Sequence, residues 1–127
     1  MYVETLGNPL CIESRTALTT ENKVCGFIET YMPQLWKALE AIPERRSLMV
    51  DYRNGLVHQM FMKDACAIHE DKAGTSEYVV KNLGGSPVSI NIDRLVPEFR
   101  RGIDSYERRL ASEVLFRGIF VKAMLET

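Results

Sequence analysis

Cysteine is scarce in this chain, and its placement excludes more than its number does. Cys11, Cys25 and Cys66 are unclustered and odd in count, which argues against a disulfide framework. No C-x-x-C pair marks a zinc site, so no metal and no cofactor are expected. A reducing, cytoplasmic location is the expectation. No apolar run approaches the ~18 residues that a membrane span needs. The opening stretch MYVETLGNPLCIESR has neither the basic start nor the apolar block of a secretion signal. An excess of one charge is also missing, with a formal net charge of -1 and a pI of about 6.1. That speaks against coating nucleic acid by bulk charge, and leaves room for a small local site. The paired arginines Arg45-Arg46, Arg100-Arg101 and Arg108-Arg109 read as solvated helix faces among acidic neighbours. Internal repeats and low-complexity segments are absent.

What remains is the composition of one soluble domain, with 46% hydrophobic and 26% charged residues. Residues 1–19 give conflicting signals. YVETL reads as a last helical turn ended by Gly7, with Asn8-Pro9 as a turn. Thr20 is a plausible N-cap for TENKVCGFIETYM, where Val24, Phe27, Ile28 and Tyr31 fall at helical spacing. PQLWKALEAI predicts a second helix with Pro33 at its first position and Leu35, Trp36, Leu39 and Ile42 inward. ERRSLMVDYRNGLVHQMF predicts a third. DACAIHE, SEYVVKN and the alternating VSINI then read as strands, with turn chemistry in DKAGT and LGGSP. They predict a small antiparallel β meander at about residues 64–92. Asp93 is a candidate cap for the next helix, whose regular part is expected to begin near Pro97. Phe99, Ile103, Tyr106 and Leu110 form its stripe. SEVLFRGIFVKAML is apolar nearly all round, so it needs cover from the domain itself or from a second subunit. The fold class is mainly α.

The stretch DYRNGLVHQ holds the candidate chemistry. With each helical residue turning ~100°, Leu48, Met49, Tyr52, Leu56 and Met60 share a core face. Val50 and Val57 make a second strip, and Asp51, Asn54 and His58 form a polar edge on which Asn54 can orient the imidazole. Arg53 lies between the two apolar strips, ~140° from His58, so the two meet by snorkelling or across two copies of the chain. A two-fold dimer would bury Val50 and Val57 and use Gly55 for close approach. The same residues also have a purely structural reading: His58 hydrogen-bonded beside Asn54 and Asp51, and Arg53 paired with an acid such as Glu44 or Asp51. Tyr52 reads as packing, His69 as a surface residue, and Lys63 and Lys72 as solvated.

The Arg-polar-x-x-x-His pattern, here within YRNGLVHQ from Tyr52 to Gln59, resembles the signature of the HEPN domains. FIETYMPQ upstream and SINIDRLVPEFRRGIDSYERRL downstream extend the resemblance from Gly26 to Leu110. It implies a helical bundle whose first helix is shortened here. It further implies a homodimer in which Arg53, Asn54 and His58 from both copies line one cleft and cleave RNA without metal, as in toxin or defence proteins, some held by an antitoxin. A neutral imidazole would take the 2′-OH proton, an imidazolium would protonate the 5′-oxygen, and Arg53 would stabilise the phosphate. Non-catalytic members imply the alternative, a binding or scaffold module for a protein partner or nucleotide.

Overall fold

A computed structural model describes residues 2–54, 66–71, 76–82 and 87–126, with the backbone alone for Tyr2, Asn54 and Cys66. Among these residues the chain is mainly helical. The order is α1 (Tyr2–Ser14), α2 (Thr20–Tyr31), α3 (Pro33–Ala38), α4 (Arg45–Asn54), β1 (Cys66–His69), β2 (Val79–Lys81), β3 (Val88–Asn91), α5 (Ile92–Ser112) and α6 (Val114–Leu125). None of these helices is long and apolar enough to cross a membrane.

The first helix corrects the expected turn at residues 7–9. α1 runs straight through Gly7, Asn8 and Pro9. A Cβ at position 7 would lie 1.8 Å from the carbonyl oxygen of Lys23 on α2. The glycine therefore serves a close helix crossing and does not end the helix. Pro9 removes one rung of the backbone ladder. The nearby Leu6 carbonyl accepts a 2.8 Å hydrogen bond from the Tyr106 hydroxyl, which ties this part of α1 to α5.

Helix α2 is capped one residue earlier than expected, by Thr19, whose hydroxyl accepts from the Asn22 amide at 3.1 Å. Val24, Phe27 and Ile28 are buried as the spacing requires. Phe27, Tyr31, Phe99, Tyr106, Phe116 and Phe120 gather where α2, α5 and α6 meet, with ring centroids 5.2 to 6.2 Å apart. These tilted and edge-on contacts suit the ring quadrupoles. Leu35, Leu39 and Ile42 point inward around α3, and Trp36 lies half-buried beneath the Arg45 guanidinium, 3.9 Å from its ring centroid.

The β region is a mixed sheet, not a meander. Strand order is β1-β3-β2; β3 pairs parallel with β1 and antiparallel with β2. Burial explains why β3 is central. Each of its residues is buried, whereas Ile68 on β1 is 49% exposed and β2 is only partly covered. Val88 and Ile90 join the helical core. The opposite, polar face is also closed, which overturns the surface assignment of His69. Its Nε2 hydrogen-bonds the Glu77 carbonyl at 3.3 Å and its Nδ1 meets the Ser89 hydroxyl at 2.7 Å. Because a carbonyl only accepts, Nε2 carries the proton. Asn91 spans the same region, donating to Asp71 at 2.6 Å and accepting from the Asp93 amide at 2.9 Å.

That last bond makes Asn91, not Asp93, the N-cap of α5, and the helix starts at Ile92, well before Pro97. Pro97 lies one residue before the buried Glu98, whose Oε2 accepts from the Gln34 amide at 2.7 Å and Oε1 from the Leu35 amide at 2.9 Å. Those are orphan donors of the first turn of α3, which has no capping side chain of its own. Tyr78 donates to the same carboxylate at 2.9 Å.

Candidate functional site

Helix α4 is oriented by its apolar face. Leu48, Met49 and Tyr52 are buried, as the wheel requires. The Tyr52 hydroxyl donates to the Ala67 carbonyl at 2.6 Å and accepts from the Ala67 amide at 3.1 Å, which pins α4 to β1. Tyr52 is thus packing with a polar handle. Arg53 follows it and turns toward α1. Its Nη2 lies 2.5 Å from Glu4 Oε2, and the two side chains are only 18% and 19% exposed. The other Glu4 oxygen accepts from the Thr20 hydroxyl at 3.4 Å. One carboxylate in the first turn of α1 thereby ties the ends of α2 and α4 together. Its position also suits the positive end of the α1 dipole.

Arg53 pairs with Glu4, an acid that sequence spacing along α4 does not reveal. Asn54 closes α4, with its backbone alone described, while Gly55, His58, Lys63 and Lys72 lie outside the described residues. The expected trio is therefore represented by Arg53 and the Asn54 backbone. Beside Arg53 runs a cleft of about 340 Å³, lined by Met32, Met49, Ile68, Leu95 and Phe99 among others. Arg53 is the one charged residue of its described lining. Such a surface accepts apolar groups, and its single cation already neutralises a carboxylate.

Two arginines expected to be solvated do structural work. Arg109 contacts Glu13 of α1, Tyr31 of α2 and Glu113 ahead of α6, and its guanidinium lies 3.7 Å from the Phe116 ring centroid. Arg46 reaches Asn22 at 2.6 Å and Glu21 at 3.6 Å. The neighbouring Cys25 is fully buried, and burial pushes its thiol up from 9.0 to about 11, against the pull of Arg46. It is therefore a packing thiol rather than a nucleophile. Among the described residues no three of His, Cys, Asp and Glu gather closely enough to hold a metal ion.

The other distinctive surface is α6. Phe116 and Ala123 face the core, while Val114, Leu115, Val121 and Leu125 are 73%, 86%, 49% and 80% exposed. The domain itself covers only half of this apolar helix. Comparison with protein-family models, with curated proteins and with solved structures finds no significant match to this chain.

Proposed function

We propose that this chain is a non-catalytic, HEPN-like helical module that acts by binding a protein partner. The Arg53–Glu4 pair is the observation that carries this reading. An arginine that stabilises a scissile phosphate must offer its donors to the substrate. Drawing Arg53 away from Glu4 would strand a largely buried carboxylate, a cost paid before any phosphate is bound. The net charge of -1 adds no general attraction for RNA. The exposed apolar side of α6 is what a binding module needs and what a nuclease cleft does not explain.

The test is incubation of purified protein with end-labelled RNA in EDTA, comparing wild type with His58→Ala. The expected result is no cleavage above a mock preparation for either protein. Fragments with cyclic phosphate ends that vanish in His58→Ala would overturn the reading and restore catalytic roles to Arg53, Asn54 and His58.

A further inference from the structure

We propose that the cleft beside Arg53 is a preformed binding site for an uncharged aromatic molecule of about two fused rings. This is a small-molecule site, separate from the exposed face of α6, and it goes beyond the binding-module reading. The cleft measures about 340 Å³, within the size range of ligand pockets. Val24, Met32, Leu35 and Ile90 are buried and form its floor, whereas Ile68 and Val96 are exposed and mark its mouth. It is a recess that runs from the surface into the core.

The walls of the recess are fixed from outside it. Val3 of α1 belongs to the lining, and Gly7, one turn further, packs on α2 so closely that a Cβ would lie 1.8 Å from the Lys23 carbonyl oxygen. Phe99 of α5 also belongs to it, and a Cβ at Gly102, one turn further, would lie 2.7 Å from the Tyr31 carbonyl oxygen. Both helices already touch the backbone of α2 there and can move no nearer. On the far side the Tyr52 hydroxyl holds α4 to β1 through the Ala67 backbone. Protein interiors leave few voids larger than a water molecule. A recess of this size between walls so tightly tied is a built feature rather than loose packing.

The lining defines the ligand's chemistry. Met32 and Met49 bring adaptable, polarisable thioethers that make favourable contacts with aromatic rings, and Phe99 adds a ring of its own. Arg53 is the one charged residue of the described lining, and its charge is neutralised by Glu4. The wall therefore carries no net charge to match an ion. An ionised group drawn into it would lose its water without gaining an opposite charge, so the complementary ligand is uncharged. Size sets the number of rings. An apolar cavity of about 150 Å³ takes up benzene, and this recess is roughly twice as large.

Methionine-methyl NMR locates the ligand, because Met32 and Met49 line the cleft while Met124 lies on α6. Naphthol at pH 7 is the probe, and naphthalenesulfonate is its charged counterpart. Naphthol is expected to shift the Met32 and Met49 signals saturably, with a dissociation constant between roughly 10 µM and 1 mM, and to leave Met124 unmoved. Naphthalenesulfonate is expected to bind at least ~tenfold more weakly. Val96→Glu sets a charge at the exposed mouth, and is expected to weaken naphthol at least ~tenfold with an unchanged circular-dichroism spectrum. Val121→Glu on α6 is expected to leave naphthol binding unchanged. Should Val96→Glu fail to fold, Ile68→Glu makes the same test from the β1 side of the mouth. The absence of any saturable shift, shifts confined to methyls other than those of Met32 and Met49, equal binding of the two probes, or binding indifferent to the charge at the mouth overturns the proposal.

Discussion

Replacing Arg53 by Met separates a structural arginine from a catalytic one. Met keeps most of the aliphatic stem and the packing against the cleft, and removes the charge. Glu4 then keeps its carboxylate beside the Thr20 hydroxyl, a neutral donor at 3.4 Å. Breaking a fully buried pair costs about 3–5 kcal/mol. Both side chains here retain about a fifth of their exposure, at 18% and 19%, so solvent recovers part of the loss and about 2–3 kcal/mol is expected. For a domain of this size that is a fall of roughly 8–12 °C in Tm. Glu4→Gln is expected to cost less, because an amide is cheaper to bury than a carboxylate is to leave unpaired. The double variant should be milder than the sum, with a coupling on the order of 1–2 kcal/mol. Urea titrations followed by far-UV circular dichroism and by fluorescence of Trp36, the single tryptophan, measure all four corners. An Arg53→Met protein as stable as wild type, or more stable, is the signature of a residue held for function at the expense of stability. That result, with additive single effects, would refute the reasoning.

Glu98→Gln tests the cross-chain cap of α3. The new amide directs a donor at one of the two backbone donors it must serve, and a loss of about 2–3 kcal/mol is expected in the same titration; a change under about 0.5 kcal/mol would show the cap to be dispensable. Cys25 tests the burial of the α2–α4 contact. Its thiol is raised from 9.0 to about 11 in the fold, so the stability it contributes is complete below pH 9 and is lost as the pH climbs through about 11. Iodoacetamide at pH 8 should leave Cys25 unmodified in the folded protein and alkylate it in urea, with peptide mass spectrometry as the readout; rapid labelling of folded protein contradicts the assignment. Tyr78 shifts in the same direction through burial and the Glu98 bond, so alkaline unfolding is expected to set in from about pH 10 upward and to move to higher pH in Tyr78→Phe.

Helical periodicity was legible along the chain because it is a local property. Val24, Phe27 and Ile28, then Leu48, Met49 and Tyr52, are buried as their spacing demands. Pro33 starts α3 for the reason its missing N–H suggests. The alternation in Val88 to Asn91 makes a strand. The local rules misread Gly7, Pro9 and Pro97 because they count what such residues cost a lone helix. They do not count the close crossing of α1 on α2, or the bond from Tyr106 to the Leu6 carbonyl that ties α1 to α5.

The sequence alone determined that the chain is mainly helical, that α2, α3 and α4 are helices with the apolar faces their spacing demands, and that α6 carries more grease than one side of a helix can hide. Only the tertiary structure decided the rest. It put β3 in the centre of the sheet, turned His69 inward, and gave Glu98 to the end of α3 and Glu4 to Arg53. The division has one cause. Backbone periodicity is set by neighbours within a turn, whereas a buried charge takes whichever opposite group or free amide the packing brings within about 3 Å, and that partner lies far along the chain.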